Sequence, residues 1–195
     1  MKDLARRVDE VARGLVGDLL MRDDVTLRIT EVEAYGGAWD SASHARHGPT
    51  ARNAPVWGPP GRAYLYFCYG MHWMLNVVAA PEGEASAVLI RGAEVVAGLD
   101  TVLQRRKAAH PSPLLCAGPG KVAQALALDG TFSGHDLLAP GGLELRPGAP
   151  PALLLAGPRL GIGFAAPEDQ ARPWRFADAA SGAILQKKAL RPETR

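Results

Sequence analysis

The chain has 195 residues, and its 22 Lys and Arg against 20 Asp and Glu leave a formal net charge of +2. With 47% hydrophobic and 22% charged residues it has the balance of one ordinary globular core, and its 22 Gly and 16 Pro make it loop-rich but not disordered. Two cysteines, Cys68 and Cys116, exclude a disulfide framework and a four-thiolate zinc site, and no run approaches the about 18 consecutive apolar residues of a membrane span. Asp3, Asp9 and Glu10 interrupt the stretch a signal peptide would need, so a soluble, cytoplasmic, single-domain protein is expected.

In chain order, residues 3–20 carry Leu4, Val8, Val11, Ala12, Leu15 and Leu19 at helical spacing. Residues 25–35 alternate as a strand with Val25, Leu27 and Ile29 on one face; continuing that alternation puts Glu31, Glu33 and Tyr35 on the core side. Carboxylates on a buried face are costly unless paired or used, although a bulge or the strand's end would release them. Residues 36–62 form a long loop rich in Gly, Pro and Ser that also holds two tryptophans and two histidines. Two apolar runs, 63–69 and 73–79, joined around Gly70, predict a β-hairpin, followed by a strand at 85–91 and a helix over 98–107. A short helix is expected at 121–128, and RLGIGF and PWRF are the last expected strands. One domain is expected over residues 1–186, with 187–195 as a flexible basic tail.

The charges and aromatics are unevenly spread. Residues 41–81 contain no Asp or Glu but hold Arg46, Arg52, Arg62, His44, His47 and His72. Two further acid-free stretches, 101–128 and 145–167, carry Arg105, Arg106, Lys107, Lys121, Arg146 and Arg159. Eight of the twelve aromatic residues lie between Tyr35 and Trp73, more concentrated than core packing alone requires. Arginine, histidine and aromatic rings without acids are suited to holding phosphates and stacking on bases.

Glu33 leads the candidates for chemistry, because a partly desolvated carboxylate near a strand end has a raised pKa and can accept a proton from water. Glu31 stands about 7 Å away along an extended strand, a separation that also suits the two carboxylates of an inverting saccharide hydrolase. His44 and His47 form an HxxH pair with no third ligand at a zinc-site spacing, so no metal is expected. AGPGK lacks the Gly and the Ser or Thr of a P-loop, which removes nucleotide hydrolysis, although Lys121 at a helix start can hold a phosphate. Ser41 and Ser43 lack a nucleophile elbow. Tyr69-Gly70-Met71-His72 makes a bulky apolar hairpin tip, which suggests a wedge or a buried contact.

The runs RITEVEAYGG, ASHARHG, TARN, GPPGRAYLYFCYGMHWMLNVV, SAVLIRGAE, GPGKVAQAL, RLGIG and PWRF, in that order, closely resemble the alkyladenine (3-methyladenine) DNA glycosylases. The resemblance implies a mixed α/β (α+β) single domain around a curved antiparallel sheet, with a protruding hairpin that enters the DNA minor groove. It implies a monofunctional enzyme, without cofactor, that flips alkylated purines (3-methyladenine, 7-methylguanine, hypoxanthine) from duplex DNA and leaves an abasic site. Glu33 matches the carboxylate that activates the water. Tyr35, His44, Tyr66, Asn76 and Arg91 match the base pocket, and Tyr69 the side chain that fills the gap, with Met71 and His72 beside it at the tip. Arg46, Arg52, Arg62 and Lys121 are candidates for the DNA backbone. Gly36-Gly37, TARN and His72 depart modestly from the family pattern. The expected partner is double-stranded DNA bound by a monomer. A non-catalytic minor-groove DNA-bending protein that uses the Tyr69 wedge, and a two-carboxylate saccharide hydrolase, are the competing readings.

Overall fold

The computed structural model describes residues 3–193. The first helix, α1 (Val8–Leu15), is shorter than the apolar spacing predicts. It stops before Gly17, whose φ is +100° and whose missing Cβ leaves room for the Ala149 carbonyl. The Leu19–Leu20 pair, read as the end of a helix, belongs instead to β1 (Leu19–Arg22), which turns at Asp23 into β2 (Val25–Tyr35).

The remaining elements are β3 (Ala63–Cys68), β4 (His72–Ala79), β5 (Ser86–Ala97), α2 (Leu99–Arg106), α3 (Pro119–Ala125), β6 (Glu144–Arg146), β7 (Leu154–Gly157), α4 (Pro167–Ala171), β8 (Arg175–Asp178) and β9 (Arg191–Pro192). All nine strands join one antiparallel sheet in the order β3-β4-β5-β2-β8-β7-β9, with β1 also paired to β2 and β6 to β1. The result is the expected α+β architecture. One face of the sheet packs on α1, α2 and α3 through Leu15, Ile29, Leu75, Ile90, Val102 and Val122. No helix among the described residues is long and apolar enough to cross a membrane.

The central pair β2–β5 determines where the chemistry lies. Its register runs Ile29 to Ala93, then Glu31 to Gly92, then Val32 to Ile90. Thr30 is therefore an extra residue on β2, and Arg91 is an extra residue on β5. Each bulge shifts the alternation of its strand by one, so the two strands change face together and stay in register. Before the bulges Leu27 and Ile29 face the helices; after them Val32 and Ala34 do, opposite Ile90 and Val88. The expectation that Glu31, Glu33 and Tyr35 share a face with Val25, Leu27 and Ile29 is corrected accordingly. They lie on the opposite face, with both carboxylates fully buried there.

Two further expectations change. Residues 159–164, read as a strand, form a loop. The N–H of Leu160 donates to a side chain instead of to a neighbouring strand, at 2.7 Å. Residues 187–193 are not loose: a turn at Lys187–Ala189 leads into β9 beside β7, Leu190 is buried, and Glu193 pairs with Arg13. The last two residues of the expected tail lie outside the described residues.

Candidate active site

On the face away from the helices, β2, β3, β4 and β5 floor a cleft of about 610 Å³. In the hairpin, Tyr66 stands opposite Met74 and Tyr64 opposite Asn76, so strand alternation delivers all four to the cleft. Leu89 and Arg91 arrive from β5 and Tyr35 from the end of β2. His44 closes one side from the long loop, its Nδ1 3.0 Å from the Tyr64 hydroxyl and its ring 4.4 Å from the Tyr66 ring at 72°. The Asn76 amide donates to the carbonyls of Tyr64 and Met74, at 3.1 and 3.3 Å, which fixes its orientation. Leu160, Gly161 and Ile162 form the opposite wall.

Beneath this wall lies Glu33, fully buried. Its Oε1 accepts from the Leu160 N–H at 2.7 Å, and its Oε2 accepts from the Tyr35 hydroxyl at 2.8 Å and Arg91 Nη1 at 3.2 Å. Burial pushes its pKa above the ordinary carboxylate value, and the Arg91 charge, the Leu160 N–H and the Tyr35 hydroxyl oppose that rise. Tyr35 is driven well above the ordinary phenol value by burial and by Glu33, so it remains a donor. Burial also raises Tyr66, and it lifts Tyr64 to about 12. Burial, with Arg52 and Arg46 nearby, lowers His44 and keeps its imidazole neutral.

Glu31 has a different environment. Its Oε1 accepts from Arg91 Nε at 3.3 Å and Arg175 Nη1 at 3.1 Å, and its Oε2 from the Leu185 N–H at 3.2 Å. Two buried carboxylates thus meet two buried arginines, with Arg91 bridging them. A charge removed from such a cluster leaves its partner uncompensated in a low-dielectric setting.

The hairpin tip projects from the same side. Tyr69 and Gly70 both have positive φ, at +53° and +67°, which closes the tight turn between Cys68 and Met71. Tyr69 is 81% exposed and Met71 66% exposed. Of the two roles expected for a bulky tip, a buried contact is removed. Gly120, before Lys121, sits against the His72 ring, where a Cβ would approach to 2.8 Å.

The cationic candidates divide. Arg106, Lys121 and Arg91 line the cleft, and no Asp or Glu does. Arg52 lies over the Tyr66 ring, and Arg46 over Phe164, both at the rim. Arg62 is not with them: it stands at the far end of β3 from the tip, 3.5 Å from Asp136. Arg105, Arg146 and Arg159 meet Asp23, Glu144 and Asp40, so two of the acid-free stretches contribute less to a positive face than their sequence implies. Sequence reasoning missed Tyr64, Leu160, Asp40, Arg159 and Arg175 as parts of this site. Tyr64, Arg159, Leu160 and Arg175 lie within the GPPGRAYLYFCYGMHWMLNVV, RLGIG and PWRF runs, whereas Asp40 lies outside every run and gave no signal. Among the described residues no three His, Cys, Asp or Glu side chains are grouped to hold a metal ion.

An aromatic cleft above a buried cluster of two carboxylates and two arginines, beside an exposed hairpin tip and a cationic rim, has the chemistry to hold a planar ring next to an anion. Residues 2–182 match the methylpurine-DNA glycosylase family, and the chain belongs to it. It is 54% identical over 188 residues to a putative 3-methyladenine DNA glycosylase of Nitrosococcus oceani, covering 96% of this chain and 93% of that protein. It is 49% identical over 185 residues to the DNA-3-methyladenine glycosylase of Arabidopsis thaliana, covering 94% and 72%. A putative 3-methyladenine DNA glycosylase of Methanocella arvoryzae is 40% identical over 182 residues, covering 91% and 90%.

Proposed function

We propose that this protein is a monofunctional DNA glycosylase that removes alkylated purines, among them 3-methyladenine and 7-methylguanine, from duplex DNA approached through the minor groove. The observation that carries this reading is Glu33, a buried carboxylate held by three donors, Leu160, Tyr35 and Arg91, all of which line the cleft that also holds His44 and Tyr66. A carboxylate offers about four acceptor positions; three are filled, and the remaining lone pair on Oε1 is available to a water. That water attacks C1′ of the flipped nucleotide as Glu33 takes its proton. The C1′–N bond breaks with its electron pair passing to the purine, which neutralises the alkyl-induced positive charge. A neutral base and an abasic sugar result. The leaving group is already activated, so one general base suffices.

The pocket suits a flat cation. Tyrosine faces attract it, and a neutral His44 does not repel it. We assign phosphate contacts to Arg46, Arg52 and Lys121, which lie at or beside the cleft, and not to Arg62, which stands beside Asp136. Glu31 is the shared counter-ion of the buried Arg91 and Arg175, a structural role that weighs against its use as the second carboxylate of a saccharide hydrolase. A protein that only bends DNA has no use for a desolvated carboxylate beneath a base-sized pocket.

The test is single-turnover release of 7-methylguanine from duplex DNA followed across pH. Glu33 acts only when ionised, and its pKa is raised. Release should therefore be full near neutrality and fall as pH drops, with the fall beginning above the ordinary carboxylate range. No release at any pH removes the glycosylase reading; release independent of pH in the acid range removes Glu33 as the base.

A further inference from the structure

Two buried side chains outside the pocket connect the groups that hold Glu33. Arg159 and Asp40 form an ion pair with both side chains fully buried: Arg159 Nη1 and Nη2 donate to the two Asp40 oxygens, at 2.6 and 2.9 Å. The guanidinium also donates to the carbonyl of Ala34, between Glu33 and Tyr35, at 2.9 Å, and to the carbonyl of Asp169 at 3.2 Å. It packs 4.8 Å from the Tyr35 ring and 5.3 Å from the Trp174 ring. Asp40 in turn accepts from the N–H groups of Gly36 and Ala42, which begin the loop that carries His44. Neither residue lines the cleft.

A buried ion pair is poor evidence for stability, because apolar residues of similar volume often stabilise as well or better. Its distinctive property here is geometry. A bidentate guanidinium–carboxylate pair fixes direction as well as distance. Arg159 directly precedes Leu160, whose N–H is the shortest of the three hydrogen bonds to Glu33, and its guanidinium supports the ring of Tyr35, which makes the second.

We propose that the Arg159–Asp40 pair is a positioning device for the general base, holding the Leu160 N–H and the Tyr35 hydroxyl on Glu33 so that its remaining lone pair stays directed at the water. This rests on the assignment of Glu33 as the base. Neither residue touches the substrate, so both act through others. The charged and titratable groups around Glu33 are Glu31 and Tyr35 on its own strand, Arg91 on β5, Tyr66 on β3 and Arg175, its paired residue on β8, and all of them are retained when the Arg159–Asp40 pair is altered.

The experiment compares the wild type with Arg159→Lys and Asp40→Asn, and with Glu33→Gln as reference, in single-turnover release of 7-methylguanine across pH. Thermal melting and binding to abasic DNA are measured alongside. Lysine keeps the charge but cannot bridge; asparagine keeps the size but not the charge. A Glu33 that loses the Leu160 donor is a poorer ionised carboxylate, so the acid limb should move to higher pH, by about half a unit or more. The plateau rate should fall about tenfold as orientation is lost, with abasic-site binding within about twofold of wild type. An acid limb that does not move in folded variants overturns the proposal, as does failure of both variants to fold, which would make the pair a folding element. If Glu33→Gln itself retains release, the base assignment fails instead, and the two failures are told apart.

Discussion

Replacing Glu33 with Gln is expected to lower single-turnover release of a positively charged alkylpurine by about 10²–10⁴-fold, the range for loss of a general base. The amide keeps the shape but cannot take a proton. It must also turn its NH₂ toward at least one of three donors that now meet the carboxylate: the Leu160 N–H, the Tyr35 hydroxyl or Arg91. Arg91 keeps Glu31 as a partner, so the variant should fold with a lower melting temperature and bind duplex DNA nearly as well as wild type. Glu31→Gln is the control. Its carboxylate accepts from Arg91, Arg175 and the Leu185 N–H, so it should lose stability while release per folded molecule falls far less. An equal loss in both would point to a two-carboxylate mechanism, and a loss below about tenfold in Glu33→Gln would show that some other group takes the proton.

Tyr69→Ala should reduce the flipped fraction of a lesion without altering how binding depends on salt. The side chain is 81% exposed, so its removal costs the fold little. Once a base is extruded, a ring that refills the stack recovers about 1–3 kcal/mol, about 5- to 150-fold in the flipping equilibrium. Encounter depends on phosphate contacts from arginine and lysine, to which Tyr69 adds no charge. A fluorescent base whose emission changes on unstacking reads the first quantity, and binding at several ionic strengths reads the second. An unchanged flipped fraction, or a shallower salt slope, would remove the wedge role from the hairpin tip.

How much of this was legible in the sequence follows the range of the interactions. The β3–β4 hairpin and its tip are local, and residues 63–79 contain the apolar runs, the turn and the aromatic excess that define them. Glu33 was also legible, but by a route the structure corrects. Alternation carried it to the core face, whereas paired bulges at Thr30 and Arg91 move it to the opposite one. The sign of the extra residue lay in β2 itself, where the apolar positions slip phase from Val25, Leu27 and Ile29 to Val32 and Ala34, and simple alternation passed over it. The short strands β1, β6, β7 and β9 are too brief to show any period. Arg159 and Asp40 are 119 residues apart, and Arg175 and Glu31 are 144 apart. Neither ion pair could be read from the sequence, because each partner was distant in the chain. Leu160 was less accessible still, because it contributes a backbone N–H that depends on no particular side chain.

If this site hydrolyses the bond between an alkylated purine and its sugar, base release must precede any break in the strand. The most direct measurement takes one duplex carrying a single 3-methyladenine or 7-methylguanine and follows both the free base and the length of the damaged strand, before and after alkali. The expected result is free alkylated base, an intact strand before alkali and a break at the lesion after it. A duplex that is bound and bent but releases no base would contradict it, and the Tyr69 hairpin would then belong to a protein that shapes DNA without cutting a bond.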